Sequence, residues 1–502
     1  MPFERRKEVG MMRSIVCGVG LALLSNLAAA ETRCETVLRQ LSRQLADASC
    51  VESTDLTTTN PSTTPANNSL PGLPAFAFTP QTDRGVIAPS AAKRPPITKL
   101  VPGLQLMARF ASDPTGQGRF LLRLPDDWNG SLVVAGASGT RSEFNGDFAW
   151  SDFVLQKGFA YASQNKGVLN LQFSTAADPL ACRLNPASPL YVHFYDNDPG
   201  QQFTRWRDSM VSAAEVARRG VQARYGYRPR HTYAVGTSNG GYQVRRAIET
   251  APELFDGGVD WEGTFVDAQG PNLLTDLPAA VLNYPDYVAS SASATSTAAK
   301  NIRAAGYPPD LHAGTATLWG NYATSFWEVT LCQWQERLDP GYDTYGGEGP
   351  GGYNYIARLS KSDVDAQLDA FATSGKIKRP LITVAGTMDA LLPIDHHARA
   401  YARLVRSRPG DDEHGHGQRG PGRDDIPPYR LYEVQNGNHI ETYADTFPEL
   451  ELIQPHAQRA FELLVRHVEQ RTPLPPDQCI GRGGLIVDAP SAVGSCPNLL
   501  AP

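Results

Sequence analysis

Short apolar runs alternate with helical patterns along most of the chain. The helical patterns, in which apolar residues recur every three or four positions, lie at 206–225, 241–251, 396–405 and 453–469. The apolar runs have the length of buried strands and lie at 104–110, 120–124, 132–135, 159–163, 232–235, 258–261, 381–385 and 430–434. Strands that alternate with helices in this way predict an α/β fold, with a mostly parallel central sheet covered by helices on both faces.

This alternation stops between residues 264 and 376. The stretch is too long for a loop in a compact domain, and it contains three of the chain's seven tryptophans: Trp319, Trp327 and Trp334. We interpret it as a lid inserted into the core; a second, independent domain is the alternative. Its tryptophans are candidates for an apolar substrate pocket, or else they form the core of the insertion itself.

The N-terminus has the pattern of a signal peptide. Basic residues precede the apolar stretch 14–27, and Ala28-Ala29-Ala30 provides a small-residue cleavage site. We therefore expect a signal peptide over 1–30 and a secreted or periplasmic protein; a buried N-terminal helix is the alternative. The apolar stretch is too short to span a bilayer, so we expect no membrane partner.

The other boundaries follow from composition and periodicity. Residues 31–95 are expected to hold an N-terminal helix, with Val37, Leu38, Leu41 and Leu45 on one face, and a surface linker that is rich in Thr, Asn, Ser and Pro over 51–73. The core is expected over 96–263 and 377–475, and a C-terminal tail over 476–502.

Six cysteines lie beyond the signal segment, and an even number in an exported protein predicts about three disulfide bonds. The spacing limits the pairing in two places. One straight helix would hold Cys34 and Cys50 roughly 24 Å apart, too far for a disulfide, so that pair requires the helix to break. The Gly-rich stretch 481–494 can fold back, which favours a bond between Cys479 and Cys496.

The strongest chemical signal is the G-x-S-x-G sequence at 236–240, with Ser238 at its centre. A strand pattern runs into it and a helix pattern follows at once, which is the context of a nucleophile elbow. The turn is so tight that side chains at Gly236 and Gly240 would collide with the neighbouring strand and helix. The helix N-terminus favours developing negative charge beside Ser238. A Gly-rich turn with an incidental serine is the alternative.

A serine hydroxyl needs a base, and the base needs an orienting carboxylate. Asp389 follows the strand at 381–385, and His439 follows the last strand and precedes a long helix. The order serine, acid, histidine is that of the α/β-hydrolases. Both positions have competitors on neighbouring segments of the chain, which are the acids Asp395 and Glu262 and the bases His396, His397 and His456.

An oxyanion hole should use two backbone N–H groups. One belongs to Asn239, which follows the nucleophile. The other is expected after the strand at 132–135, where small residues let backbone approach a substrate, and Ala137 and Ser138 are the candidates. A simple Gly-rich turn is the alternative at that loop.

At these residues the chain resembles the α/β-hydrolase superfamily over about 96–475. Three segments, at 138–141, 164–167 and 238–241, are similar to those of secreted 3-hydroxybutyrate oligomer hydrolases. The aromatic insertion also resembles the tannase and feruloyl esterase family. In that second family, cysteines beside the nucleophile and the catalytic histidine form a disulfide, whereas Thr237 and Ile440 stand here. This departure argues against a true tannase.

The resemblance implies a serine esterase that acts on hydroxyalkanoate oligomers or on aryl and phenolic esters through Ser238, His439 and Asp389. The substrate contacts are expected from Lys166, Glu262 and the three tryptophans of the insertion. A peptidase or amidase of the same fold and a non-catalytic binding protein are the alternatives. The reaction needs no metal or organic cofactor, although feruloyl esterases suggest a calcium site at Asp339, Asp343 and Glu348.

Charge excludes one class of partner. The formal net charge is −6 and nothing in the composition suggests the clustered basic surface that nucleic-acid binding needs, so we expect no nucleic-acid partner. The polar, Gly-rich stretch 407–427 carries His414 and His416, which could bind a metal but more often belong to a solvated loop. We expect a small-molecule or oligomeric ester as the partner; the sequence gives no oligomeric state.

Overall fold

Ten strands form the central sheet in the computed structural model of the chain. The structure describes residues 31–64, 88–139, 142–167, 171–172, 182–185, 188–189, 191–192, 203–342, 353–359, 363–407, 428–491 and 493–501. The predicted signal peptide and the residues Asp343, Glu348, His414 and His416 lie outside these ranges. The strands of the central sheet are β1 (Leu45–Ser53), β2 (Gly103–Phe110), β3 (Arg119–Pro125), β4 (Ser131–Ala135), β5 (Ala160–Gln164), β9 (His231–Thr237), β10 (Gly257–Trp261), β13 (Leu381–Gly386), β14 (Tyr429–Val434) and β15 (Gln478–Ile480).

The strand order is β1-β2-β3-β5-β4-β9-β10-β13-β14-β15. The pairs from β1 to β5 are antiparallel, and every pair from β5 and β4 to β15 is parallel. Two small sheets stand apart: one comprises β6 (Leu171–Gln172), β7 (Cys182–Arg183) and β8 (Tyr191–Val192), and the other comprises β11 (His312–Ala313) and β12 (Ala316–Thr317). The predicted α/β fold with a mostly parallel sheet is confirmed.

Twelve α-helices lie in the described ranges. They are α1 (Arg33–Leu41), α2 (Asp152–Leu155), α3 (Thr204–Tyr225), α4 (Asn239–Thr250), α5 (Leu273–Ala289), α6 (Thr297–Ala304), α7 (Leu318–Tyr322), α8 (Glu328–Leu338), α9 (Tyr355–Arg358), α10 (Val364–Phe371), α11 (Ala398–Ser407) and α12 (Gln454–Gln470). Single turns of 3₁₀ helix lie at Pro61–Thr63, Ala91–Lys93 and Glu441–Asp445, and π-helical turns lie at Asp147–Ser151 and Ala323–Trp327. Among the described residues, no helix is both long enough and apolar enough to cross a membrane.

Helices cover the sheet on both faces because successive strand residues point to opposite sides. In β4, Leu132 and Val134 pack in one apolar cluster with α1, α3, α4 and α11. Val133 and Ala135 pack in another cluster with α2 and α12. Both faces are therefore apolar, which explains why these strands are nearly continuous apolar runs in the sequence.

The insertion at 264–376 is mainly helical and holds α5 to α10 together with the β11-β12 hairpin. Its apolar side chains form a third cluster, which also includes Met388 and Ile440 from the loops that follow β13 and β14. The insertion belongs to the same compact unit as the sheet, which extends from Arg33 to Pro502. The insertion therefore packs directly on the ends of the central strands.

The N-terminal segment differs from its prediction. The helix α1 ends at Leu41, and Leu45 begins the edge strand β1 instead of continuing the helix. The chain thereby reverses, so Cys34 and Cys50 come within 5.5 Å of each other, measured between Cα atoms, and form a disulfide. The predicted linker over 51–73 is wrong for its first part, because residues 51–53 pair with β2 and Asp55 and Thr57 are buried.

Two further disulfides join described residues. Cys479 bonds to Cys496, as predicted, across the Gly-rich C-terminal segment. Cys182 bonds to Cys332, which ties the small sheet at β7 to α8 of the insertion. The expectation of about three bridges is confirmed.

Candidate active site

The candidate residues meet at one edge of the sheet. The strands β9, β10, β13 and β14 are mutually parallel, so their carboxyl ends lie together. Ser238 directly follows β9 and Glu262 directly follows β10; Asp389 and His439 lie in the loops after β13 and β14. The alternation of strands and helices alone thus brings these four positions together.

Ser238 sits on a strained turn between β9 and α4. Its backbone has φ 59° and ψ −125°, a conformation that L-residues rarely adopt and that is typical of a functional turn. A Cβ at Gly236 would collide with the carbonyl of Gly240, and a Cβ at Gly240 would lie 2.7 Å from the oxygen of Gly136. Glycine is therefore required at both positions, because any side chain there would collide with neighbouring backbone.

His439 and Asp389 form a buried hydrogen-bonded pair. The distance between His439 Nδ1 and Asp389 Oδ2 is 2.8 Å, and each residue is only 1% exposed. The other oxygen of Asp389 accepts hydrogen bonds from the backbone N–H groups of Leu391, at 2.8 Å, and Leu392, at 2.7 Å. These donors hold the carboxylate in a single orientation towards the imidazole.

Glu262 approaches the same histidine nitrogen. Its Oε2 lies 3.5 Å from His439 Nδ1, while its Oε1 accepts a hydrogen bond of 2.8 Å from the N–H of Gly386. One ligand atom each of Glu262, Asp389 and His439 lies within 4.8 Å of the others. Burial, together with the negative charge of Asp389, raises the pKa of Glu262 well above its ordinary value.

The competing acids and bases lie elsewhere. Asp276 of the insertion faces His396 Nδ1 at 3.1 Å and His397 Nε2 at 3.5 Å. His456 is buried in α12, and Asp395 lies on the surface beside Arg399. Of the candidate histidines, His439 is the one that forms a hydrogen bond with Asp389.

The loop that follows β4 is fixed by three hydrogen bonds. The N–H of Ala137 donates to Gln243 Oε1 at 2.9 Å, and Ser138 directs its N–H, at 3.3 Å, and its Oγ, at 2.7 Å, to Asn145 Oδ1. The first residue of α4, Asn239, has no acceptor for its N–H within the helix. The Asn239 side chain accepts a hydrogen bond of 2.9 Å from Thr264 Oγ1.

Lys166 is fully buried behind this loop. Its Nζ donates to the backbone oxygen of Ser138 at 3.0 Å and lies 5.0 Å from the centre of the Trp206 ring. The backbone of Lys166 has φ 63°, in the left-handed region. Its charge faces the loop rather than an open surface, so a direct contact between Lys166 and a substrate stays a prediction.

The tryptophans of the insertion are buried as well. Trp319, Trp327 and Trp334 are each 1% exposed and belong to the apolar cluster of the insertion. Trp327 donates its indole N–H to the backbone oxygen of Ala390 at 2.7 Å, whereas Trp319 donates to Pro308 within the insertion at 3.1 Å. Glu262 is likewise 3% exposed. A substrate pocket formed by these side chains stays a prediction.

Of the three residues that the resemblance suggests for a calcium site, Asp339 lies in the described part of the chain. Asp339 receives two hydrogen bonds from Arg358, at 2.6 and 2.7 Å, and one of 2.9 Å from the hydroxyl of Tyr353. Its carboxylate is therefore already engaged by a cation and a phenol. Thr237 and Ile440, which replace the paired cysteines of tannases, are both buried.

Several residues of the site were missed by sequence reasoning. Asn438 accepts a hydrogen bond from Tyr322 of the insertion at 2.9 Å, and Gln243 and Asn145 orient the loop after β4. Glu441 is buried beside the site, and burial raises its pKa to about 8. Proximity to Ser238 or His439 in sequence was the available signal for Gln243, Asn438 and Glu441. Asn145 carried no such signal.

A serine on the sharp turn after a central parallel strand, with an aspartate–histidine pair in the loops after two further parallel strands, is the arrangement of the α/β-hydrolase fold, and this chain has it. Its sequence relatives are consistent with that class. A family model described as 3HB-oligomer hydrolase matches residues 346–495, the part that carries Asp389 and His439. The predicted resemblance to 3-hydroxybutyrate oligomer hydrolases is thereby confirmed.

Curated relatives include two D-(-)-3-hydroxybutyrate oligomer hydrolases. The protein of Burkholderia thailandensis is 28% identical over 136 residues, and that of Ralstonia pickettii is 31% identical over 156 residues. The matches cover 26% and 28% of this chain, but only 17% and 18% of the relatives. The chain therefore matches less than a fifth of the length of these relatives.

Solved structures with a similar fold include two fungal enzymes. Feruloyl esterase B from Aspergillus oryzae has a TM-score of 0.48 and 13% identity, with 88% of this chain and 91% of that chain covered. Tannin acyl hydrolase from Aspergillus niger has a TM-score of 0.40 and 14% identity, with 82% and 89% covered. At this level the likeness concerns the fold alone.

Proposed function

We propose that this protein is a serine hydrolase that cleaves carboxylic esters, with Ser238 as nucleophile, His439 as base and Asp389 as the acid that orients it. One observation carries the proposal. A buried pair with 2.8 Å between His439 Nδ1 and Asp389 Oδ2 lies at the sheet edge where Ser238 occupies its strained turn. A binding protein that had lost its chemistry has no need to retain all three features.

The reaction is a two-step acyl transfer. His439 keeps a proton on Nδ1 towards Asp389, so Nε2 is free to take the proton of Ser238 as Oγ attacks the ester carbonyl. The protonated imidazole then gives this proton to the leaving alcohol, and the C–O bond breaks to leave an acyl-enzyme. Water attacks the acyl carbon through the same base and releases the acid.

The tetrahedral intermediates need hydrogen-bond donors for their oxyanion. The N–H of Asn239 is the first donor, because it opens α4 and has no acceptor within the helix. Ser138 supplies the second. Its N–H is held at 3.3 Å by Asn145, a weak bond, whereas the N–H of Ala137 is engaged by Gln243 at 2.9 Å. Ser138 is therefore preferred to Ala137.

The proposed substrates are oligomers of 3-hydroxybutyrate, with simple aryl esters as accessible model substrates. The relatives that match this chain are named as hydrolases of such oligomers, and the matched family segment includes Asp389 and His439. We also propose that the protein is exported. The signal pattern at 1–30 and three disulfides suit an oxidising compartment.

The test combines covalent labelling with a matched pair of substrates. A fluorophosphonate probe should label the wild-type protein, and Ser238→Ala should abolish labelling. Turnover of a 3-hydroxybutyrate trimer should fall by about 10⁴ to 10⁶ in Ser238→Ala and in His439→Ala, with little further loss in the double variant. Residual turnover close to wild type in Ser238→Ala would disprove the assignment. Faster cleavage of the matched amide than of the ester would instead identify an amidase.

A further inference from the structure

Glu262 is buried beside the imidazole of His439. It follows β10 with φ 52°, a strained conformation for a glutamate, and its side chain is buried. The N–H of Gly386 anchors Oε1, while Oε2 points to His439 Nδ1 at 3.5 Å. This second oxygen is buried and makes no hydrogen bond with any described residue.

Every element packed around Glu262 contributes a charged or polar group. Asp389 and Glu441 come from the loops after β13 and β14, Tyr322 comes from α7 of the insertion, and Trp261 precedes Glu262 in the chain. The basic side chain that faces it is His439, with 3.5 Å between Nδ1 and Oε2. Two carboxyl groups this close do not both ionise in a buried site.

The hydrogen bonds decide which of the two carries the charge. Asp389 Oδ1 accepts two backbone N–H donors, and its Oδ2 lies 2.8 Å from the imidazole. Glu262 has one backbone donor, a weaker interaction with the indole of Trp261, and a longer approach to the same nitrogen. Donors stabilise the ionised form, so the negative charge resides on Asp389 and Glu262 keeps its proton.

We propose, on the basis of the proposed serine hydrolase function, that Glu262 is a second acid for His439, neutral while Asp389 is ionised and able to replace it when Asp389 is lost. Burial is the larger cause of the raised pKa of Glu262, and removal of the Asp389 charge removes the second cause, so the pKa of Glu262 falls. Glu262 then releases its proton to solvent, and its Oε2 becomes the acceptor for the Nδ1–H of His439. Glu262 acts through His439 and is therefore a positioning residue.

The test is a double-mutant cycle with Asp389→Ala and Glu262→Gln. Alanine at 389 removes the charge without adding an amide that competes for Nδ1, and glutamine at 262 keeps an oxygen for the N–H of Gly386. We expect Glu262→Gln to lower kcat/KM for an aryl ester at least tenfold more in the Asp389→Ala background than in wild type. Equal losses in the two backgrounds would overturn the proposal.

The pH profile gives a readout that a structural role would not change. In Asp389→Ala, activity requires ionised Glu262, so kcat/KM should fall as pH drops below the pKa of that carboxyl. This acid limb should be missing from the double variant. An identical profile in the two variants would contradict the proposal.

Glu441→Gln is the matched control. Glu441 is an equally buried glutamate of the same region, but its Oε1 accepts the N–H groups of Ile453 and Gln454 at the start of α12, and no contact with His439 is described. Its charge contributes to the raised pKa of Glu262, so Glu441→Gln should change the ratio between the two backgrounds far less than Glu262→Gln does. Fluorophosphonate labelling of Ser238 in wild type separates the two hypotheses. Absence of labelling refutes the hydrolase function itself, whereas labelling with additive losses refutes only the role of Glu262.

Discussion

Trp327 donates its indole N–H to the backbone oxygen of Ala390, the residue after Asp389, at 2.7 Å. A second hydrogen bond joins the hydroxyl of Tyr322 to the side-chain oxygen of Asn438, the residue before His439, at 2.9 Å. The insertion thus contacts the loops of both the acid and the base. Because small displacements of catalytic groups are costly, we expect the insertion to influence turnover as well as access.

Trp327→Phe and Trp319→Phe separate these two effects. Each removes an indole N–H and a similar buried volume, but Trp319 donates to Pro308 inside the insertion. We expect similar falls in melting temperature and a fall of about tenfold in kcat in Trp327→Phe alone. Equal values of kcat in the two variants, measured on one aryl ester, would show that the bond to Ala390 has no role in positioning Asp389.

Lys166→Met tests the cation behind the loop after β4. Methionine retains most of the buried volume but cannot donate to the oxygen of Ser138. We expect kcat/KM to fall about tenfold to hundredfold, less than the loss of a direct oxyanion donor, because the second donor is displaced rather than removed. Lys157→Met is the control, since Lys157 forms a surface ion pair with Glu462. An equal effect of both variants would remove Lys166 from the site.

The disulfides should differ in their contribution to stability. Cys182 and Cys332 are separated by 150 positions, and Cys34 and Cys50 by 16. Loop-closure entropy assigns about 5 kcal/mol to the longer loop and about 3 kcal/mol to the shorter one. Replacement of each pair by alanines should therefore lower the unfolding midpoint more for Cys182 and Cys332. The reverse order in urea unfolding would contradict this expectation.

His456 should make the protein sensitive to mild acid. Burial lowers its pKa to about 4, whereas an unfolded histidine titrates near 6.5. Between these values the unfolded state binds a proton that the folded state does not. The free energy of unfolding should therefore fall as pH drops from about 6.5 to 4, by up to about 3 kcal/mol. This part of the pH dependence should be missing from His456→Leu in urea unfolding; a constant difference between the two proteins would refute it.

The core strands were predictable because their sequence signal is strong. All eight apolar runs are strands of the central sheet, since strands buried on both faces are apolar at nearly every position. The edge strands were not predicted. The sequence of β1, Leu45–Ser53, mixes small polar and apolar residues without a clear strand pattern, and β15 has only three residues. Their pairing with β2 and β14 is a tertiary effect that local patterns do not carry.

The candidate site divides in the same way. Ser238, Asp389 and His439 were placed by chain order and by the ends of strands, which local sequence defines. Glu262, the second carboxyl at His439, was a competing acid and a candidate substrate contact in the sequence. Its approach to Nδ1 depends on the side-chain direction set by Gly386, which the sequence does not reveal. The roles of Asn145 and Lys166 depend on contacts between distant segments, which spacing alone does not reveal.

The insertion separates two strands that must become neighbours. Gly258 of β10 pairs with Leu381 of β13, and the whole stretch 264–376 is synthesised between them. Until β13 is synthesised, one edge of β10 lacks its partner strand. The unpaired N–H and C=O groups of such an edge are prone to pair with the wrong strand. Because these neighbouring strands are so far apart in the sequence, we expect assembly of the central sheet to be a slow step in folding.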